Sequence, residues 1–269
     1  MGDFTTNATI NCRTGAFQTR STQNFTLFIP PGASVEKPAP LLIYLSDLTC
    51  SPDDVTEKGF LHAHAAPLGL ALLYLDTSPR GLNLSGEHDA GDFGSGASFY
   101  INSTQQPWLM HYRMEAYITR ELPALLAEYF KELDMSRVSI AGHSMGGHGG
   151  YKSVSAWAPI ANPSLCPLAQ KAFEGYLGED REVWKKHDAM ELVKSWKGGS
   201  LNCLIDVGTD DNFYKQGQLL PENFETAVKE ADLEGLELRY QDGYDHSYFF
   251  ISTFGADHVK HAAKALGLF

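Results

Sequence analysis

The chain has 269 residues, of which 43% are hydrophobic and 20% are charged, so it is long enough to bury the core of one large α/β domain. Its formal net charge of -12 argues against nucleic acid and anionic membrane as partners, because both repel an acidic surface. No apolar run approaches the roughly 20 residues that a membrane span needs, so we expect no membrane insertion and a small-molecule partner.

The N-terminal residues and the cysteines also narrow the class of protein. The first residues, MGDFTTNATINC, show neither a basic nor an apolar segment of a secretion signal, which predicts a cytoplasmic location. No CxxC pair occurs, so the cysteines are expected to be free thiols rather than zinc ligands or disulfides. They are Cys12, Cys50, Cys166 and Cys203.

Seven short segments rich in branched and aromatic residues predict β-strands. Most are almost continuously apolar, which is typical of strands buried on both faces of a sheet. In chain order they begin at Phe25, Pro40, Leu70, Arg137, Ser153, Leu201 and Leu236.

Helical spacing lies between these strands. Apolar residues within 122–129 follow a helical repeat, the segment from Pro221 starts with proline and acids, and the segment from Gly255 predicts a last amphipathic helix. The alternation predicts a mainly parallel central sheet with helices on both faces. Since no linker or repeat divides the sequence, we expect a single domain over residues 1–269.

The segment GHSMG, Gly142 to Gly146, directly follows the apolar strand that begins at Arg137. A GxSxG sequence after a strand is typical of a tight turn that exposes a serine at the carboxyl end of a sheet. Ser144 is therefore the candidate nucleophile.

A serine nucleophile needs a histidine base and a carboxylate that orients it, and both should follow later strands. The strand from Leu201 is followed by Asp210 and Asp211, while Asp206 within the strand is a poorer candidate. His246 follows the last predicted strand in the loop QDGYDHSYFF and is the candidate base.

Ester or thioester hydrolysis also needs two N–H donors for the oxyanion. The backbone N–H of Met145 is one candidate, and the loop LSDLTC nominates the N–H of Leu48 as the other. His62 and His64 fall in a segment that looks helical and would point to different faces of it, so we expect no metal site.

Many blocks of the chain together resemble the S-formylglutathione hydrolase family, also called esterase D. They include YLSDLTC, LDTSPRG, DFGSGASFY, GHSMGGHG, SVSAWAPI, KAFEGYLG, GQLLPENF and GYDHSYFFI. The resemblance implies an α/β-hydrolase fold and a cytosolic, often dimeric serine hydrolase that needs no cofactor. Such an enzyme cleaves S-formylglutathione to glutathione and formate in formaldehyde detoxification, and commonly hydrolyses small carboxylic esters as well.

The resemblance also assigns residues. It favours Asp211 over Asp210 and implies a triad of Ser144, Asp211 and His246, with Leu48 and Met145 at the oxyanion hole. Cys50 matches a cysteine beside the active site of the family, which would explain sensitivity to thiol reagents without making it a nucleophile.

Two features depart from the family pattern. Asp47 stands where the family has glycine, so a carboxylate would face the oxyanion and the loop would lose backbone freedom. The family also carries an apolar helix between GHSMGGHG and YKSVSA, whereas here Gly150 is followed at once by Tyr151. A crossover through residues 145–153 is unusually short and would leave one sheet face uncovered.

These departures leave three readings of function open. The chain is an S-formylglutathione hydrolase, a general short-chain carboxylesterase, or a catalytically impaired variant of the same scaffold. A mis-joined coding sequence would also account for the missing helix.

Overall fold

One mixed sheet of eight strands organises the chain. The computed structural model describes residues 22–146 and 153–269, together with the backbone of residues 5–10. The strand order is β1-β2-β4-β3-β5-β6-β7-β8. The strands are β1 (Thr5–Ile10), β2 (Gln23–Phe28), β3 (Ala39–Leu45), β4 (Ala71–Leu75), β5 (Leu133–His143), β6 (Val154–Trp157), β7 (Cys203–Gly208) and β8 (Leu236–Gln241).

The sheet is mainly parallel, as the sequence predicts. Strands β4, β3, β5, β6, β7 and β8 pair in parallel, and only the β1–β2 and β2–β4 pairs are antiparallel. Every residue of β3, β4 and β7 is buried, which agrees with their continuous apolar sequences. All seven predicted strands are confirmed, whereas β1 was not predicted because its sequence, TTNATI, lacks an apolar run.

Helices flank this sheet. Helix α10 (Tyr248–Ala265) packs against α1 (Pro52–Lys58), α2 (Leu61–Ala65) and strands β5, β6 and β7. Helix α4 (Leu122–Tyr129) packs against β5, and α9 (Pro221–Glu230) packs against β8. The α/β-hydrolase fold expected from the sequence is confirmed. The helices are α1 (Pro52–Lys58), α2 (Leu61–Ala65), α3 (Met114–Ala116), α4 (Leu122–Tyr129), α5 (Pro167–Leu177), α6 (Arg181–Trp184), α7 (Ala189–Lys194), α8 (Asn212–Lys215), α9 (Pro221–Glu230) and α10 (Tyr248–Ala265).

The last helix is longer than the sequence predicts. It begins at Tyr248, after Ser247 at the N-cap position, and not at Gly255. Phe250 and Ile251 in its first turns are fully buried, so this apolar stretch packs on the core as part of the helix. Among the residues described, no helix is both long and apolar enough to cross a lipid bilayer.

Among the connections between consecutive parallel strands that are neighbours in the sheet, the one from β5 to β6 is the shortest. Strand β5 ends at His143 and β6 begins at Val154, and the described start of the connection is a 3₁₀ turn at Ser144–Gly146. Residues 147–152, which carry most of the predicted short crossover, lie outside the described residues.

An apolar cavity of about 520 Å³ is lined by residues of β6 and β7 together with Trp196 and Phe224.

A buried charge network joins β7, β8 and α10. Asp206 of β7 is fully buried and accepts hydrogen bonds from Arg239 Nε at 2.8 Å and Gln241 Nε2 at 2.7 Å. His258 Nε2 lies 2.9 Å from its other oxygen. Burial would raise the pKa of Asp206, but the bonds from His258 and Arg239 outweigh it and lower the pKa to about 2. Asp206 is thus a structural carboxylate, remote from the candidate base His246.

We expect Asp206→Ala to lower the free energy of unfolding by about 3 kcal/mol or more, because it removes the carboxylate bonded to the buried His258 and leaves Arg239 only its pairs with Asp257 and Glu237. Urea denaturation measures this change. Asp210→Ala, four positions away, is the matched control: Asp210 is exposed and pairs with Lys215 on the surface, so its loss should cost about 0.5 kcal/mol or less. Equal effects of the two substitutions would contradict a structural role for the Asp206 network.

Candidate active site

Ser144 lies in a strained turn at the carboxyl end of β5. Its φ angle is +54°, in the left-handed region that residues with a side chain seldom adopt. The turn continues as a short 3₁₀ segment through Met145 and Gly146, and all three residues are buried. The structure therefore places Ser144 as the sequence predicts for a GxSxG motif that follows a strand.

Close backbone contacts explain the two glycines of this motif. A Cβ atom at Gly142 would overlap the carbonyl oxygen of Gly146, and one at Gly146 would overlap the carbonyl oxygen of Leu45. Leu45 is the last residue of β3, which pairs in parallel with β5. The serine turn is thus pressed against the strand that leads into the candidate oxyanion loop.

Asp211, rather than Asp210, reaches His246. Asp211 is fully buried at the N-cap of α8, where Oδ1 accepts the N–H of Phe213 at 2.7 Å. Its Oδ2 lies 2.5 Å from Nδ1 of His246. Asp210 instead pairs with Lys215 at 2.6 Å on the surface. Asp211 and His246, two of the three candidate triad residues, are therefore in direct contact.

The candidate oxyanion loop contains a carboxylate that already binds its N–H donor. The N–H of Leu48 donates to Oδ1 of Asp47 at 2.6 Å. The next residue, Thr49, has a φ of +61° and its N–H donates to the carbonyl of Gly96 at 2.7 Å, which fixes the loop. Asp47 does not have a positive φ, so the backbone at this position does not require glycine in the conformation described. The aspartate acts here through its side chain.

The second oxygen of Asp47 faces two imidazole rings. Asp47 Oδ2 lies 3.4 Å from Nε2 of His246 and 3.8 Å from Nδ1 of His143. The rings of His143 and His246 are 4.4 Å apart between centroids. Within the part of the chain that the structure describes, Nε2 of His246 has no hydrogen-bond partner. The ring nitrogen of His246 that a triad requires to accept the proton of Ser144 therefore lies beside the Asp47 carboxylate.

These contacts separate the protonation states of the two histidines. Burial would lower the pKa of His246, but Asp211 and Asp47 on either side outweigh it and raise the pKa to about 9. Burial and the nearby charge of His246 lower the pKa of His143 to about 4. At pH 7 these shifts favour the neutral form of His143 and the protonated form of His246.

The raised pKa of His246 also makes the stability of the fold depend on pH. Because its pKa is higher in the folded chain than its ordinary value, the protonated ring stabilises the fold below that ordinary value. This stabilisation is lost as the pH rises through about 9. Burial would raise the pKa of Asp47, yet it is lowered by the facing rings of His143 and His246.

Where the sequence predicts no metal site, the structure brings together three side chains of types that can bind a metal ion. Asp47, His143 and His246 each place one potential ligand atom within 4.8 Å of the others. They follow three different strands, at the ends of β3, β5 and β8, so no spacing in the sequence connects them. His143 was missed because it occupies a variable position of GHSMG. Its place as the last residue of β5, at the edge where the site lies, was the available signal.

Cys50 lies near this site as a half-buried thiol. Burial is the main reason that its pKa is raised to about 11, with a further contribution from Asp47. The thiol is therefore protonated at neutral pH, which limits its reaction with thiol reagents. Cys166 and Cys203 are buried free thiols, and Cys12 lies outside the described residues.

Comparison with known proteins identifies the class and then the family. The esterase family model described as "Putative esterase" matches residues 17–261. The S-formylglutathione hydrolase of Rattus norvegicus is 48% identical over 90% of this chain and 88% of its own length. That of Arabidopsis thaliana is 47% identical over 91% of this chain and 88% of its own length.

A solved structure gives the same result. The S-formylglutathione hydrolase of Agrobacterium tumefaciens superimposes with a TM-score of 0.91 and 42% identity, over 99% of this chain and 98% of that one. Fold and serine turn define an α/β-hydrolase of the esterase class. Within that class, the chain belongs to the S-formylglutathione hydrolase family.

We expect the imidazole of His246 to titrate with a midpoint of about 9 in NMR spectra of the folded chain. Asp47→Asn removes one of the two carboxylates that hold its proton, so the midpoint should fall toward the ordinary histidine value. The control, Asp53→Asn, changes an exposed aspartate of α1 and should leave the midpoint in place. A midpoint that is the same in Asp47→Asn and the unmodified chain would show that Asp47 does not hold the proton.

Proposed function

We propose that this chain hydrolyses S-formylglutathione to glutathione and formate through an acyl-serine intermediate. The observation that carries the chemistry is the bond between Asp211 and His246, at the edge of the sheet where the strained turn holds the buried Ser144. The substrate is inferred from relatives of that name, which match this chain over about nine-tenths of its length. The residue roles follow from this reaction.

In the acylation step, Oγ of Ser144 attacks the formyl carbon of the thioester and its proton passes to Nε2 of His246. The N–H groups of Met145 and Leu48 hold the oxyanion that forms. The carbon–sulfur bond then breaks, and His246 returns the proton to the glutathione thiolate. Asp211 keeps the Nδ1–H tautomer and stabilises the imidazolium.

In the deacylation step, water attacks the formyl ester on Ser144 and gives a proton to His246. The second oxyanion collapses, the proton returns to Oγ of Ser144, and formate leaves. The reaction consumes one water and requires no cofactor or metal, because the serine supplies the nucleophile and the imidazole carries the proton.

We infer that Asp47 lowers the activity of the resting enzyme. It occupies the Leu48 N–H that should hold the oxyanion, and it holds the proton on His246, which must be neutral to accept the proton of Ser144. Loss of one oxyanion donor typically costs about 3 kcal/mol, or a hundredfold or more in rate. We therefore propose an S-formylglutathione hydrolase whose resting site is partly closed by its own carboxylate.

The wider setting is proposed from family resemblance. We propose that the chain folds as a single domain over residues 1–269, forms a homodimer and acts in the cytoplasm in formaldehyde detoxification. The sheet that gathers strands from residues 5 to 241 supports the single domain. The family resemblance supports the dimer, the compartment and the pathway.

We expect Ser144→Ala to lower kcat/KM for S-formylglutathione by about a thousandfold or more, because the acyl-serine intermediate cannot form. Release of glutathione measures the rate, and a fluorophosphonate probe should label the unmodified chain but not the variant. Ser136→Ala is the matched control, since Ser136 is an exposed serine at the opposite end of β5. Full activity in Ser144→Ala would overturn the proposed function.

We expect Asp47→Gly to raise kcat/KM at neutral pH by about a hundredfold, because it frees the Leu48 N–H and removes a carboxylate from Nε2 of His246. Asp47→Asn removes the charge but keeps an oxygen that can accept from Leu48, so a smaller gain is expected. If the glycine variant unfolds cooperatively and is no faster than the unmodified chain, Asp47 does not restrain the enzyme.

A further inference from the structure

Asp47, His143 and His246 have the composition of a three-ligand transition-metal site. Each residue is of a type that binds Zn²⁺, and their ligand atoms lie within 4.8 Å of one another. Oδ2 of Asp47 is 3.4 Å from Nε2 of His246 and 3.8 Å from Nδ1 of His143. A tetrahedral zinc ion with ordinary bond lengths separates neighbouring ligand atoms by about 3.3 Å. Small side-chain shifts would therefore close these ligands around one ion.

Buried ring nitrogens without partners point independently to a ligand. His143 is only 3% exposed, and neither of its ring nitrogens has a hydrogen-bond partner among the described residues. Nε2 of His246 is also buried, and Oδ2 of Asp47 lies 3.4 Å from it without meeting hydrogen-bond geometry. A buried polar atom without a partner typically costs about 1–3 kcal/mol, so a bound cation would satisfy groups that are otherwise costly.

The surroundings of His246 fit a metal ligand. Its Nδ1 bonds Asp211, which directs Nε2 toward Asp47 and His143. A carboxylate behind a ligating histidine is the usual arrangement at zinc sites, where it fixes the tautomer and makes the ring a stronger ligand. Asp47 supplies a negative charge to the ion, and three protein ligands leave a fourth position for water.

We propose that Asp47, His143 and His246 bind a divalent transition-metal ion, with Zn²⁺ as the representative case, and that this ion inhibits the enzyme. Zinc at Nε2 of His246 replaces the proton there and removes the lone pair that must accept the proton of Ser144. The inhibitory half rests on the proposed function, whereas metal binding itself does not. Aspartate at position 47 completes the ligand set, since a glycine there would leave two histidines.

Calorimetric titration of the full, tag-free chain with Zn²⁺ tests the site. We expect one ion per chain, and an affinity at least about a hundredfold lower in Asp47→Gly and in His143→Asn, which each remove one ligand. Asp47→Asn is a second variant that keeps the shape of the side chain, and thermal melts establish that each variant is folded. Unchanged affinity in the folded Asp47 and His143 variants would overturn the site.

Two control variants address other zinc ligands. Cys50→Ser removes the half-buried thiol near the site and His88→Asn removes an exposed histidine, and both should keep the full affinity. Loss of binding in either control would place the ion elsewhere and overturn the proposal.

The inhibitory half has its own measurement. Hydrolysis of S-formylglutathione by the unmodified chain should fall as the site fills, while Asp47→Gly should resist the same zinc concentration. Zinc binding that leaves hydrolysis intact would overturn the inhibitory role. Because calorimetry needs no turnover, an inactive chain would still test the metal site separately from the proposed function.

Discussion

Parallel pairing of β3 with β5 is the constraint on which the site depends. Leu45 lies beside Gly142 in the register of these strands, so the loops that follow them leave the sheet at the same edge. The absence of a side chain at Gly146 lets the serine turn touch Leu45 directly. Backbone pairing, and not side-chain contact, therefore sets the serine turn against the end of the strand that leads to Asp47.

The electrostatics of the site follow from that proximity. Nε2 of His246 meets a carboxylate on the side where a serine hydroxyl is expected, while Asp211 holds the other face of the ring. Two carboxylates around one imidazole favour its charged form, and burial keeps the neighbouring His143 neutral. One aspartate thus links three properties: the occupied oxyanion donor, the proton on the base and the ligand set for a metal ion.

The sequence predicted the elements of this fold better than the contacts among their side chains. Continuous apolar runs located seven strands, and the order of strands and motifs led to the pair Asp210 and Asp211. The family resemblance favoured Asp211, the aspartate that the structure places against His246. Strand periodicity says where a residue lies along a strand, but not which side chains from three strands meet. For this reason only the three-dimensional structure shows that Asp47 contacts both the Leu48 N–H and His246, and that His143 lies beside them. The start of α10 was missed because its first turns are apolar on several sides.

Asp47 has a consequence for how this chain can evolve. Glycine and aspartate codons can differ by a single base, so one point mutation separates a site with a carboxylate in its oxyanion loop from one without it. Intermediate sequences are not needed, and the scaffold around the position already accommodates either residue because Asp47 does not use a left-handed backbone. Selection for faster hydrolysis, or the loss of that selection, would therefore act first on the codon of residue 47.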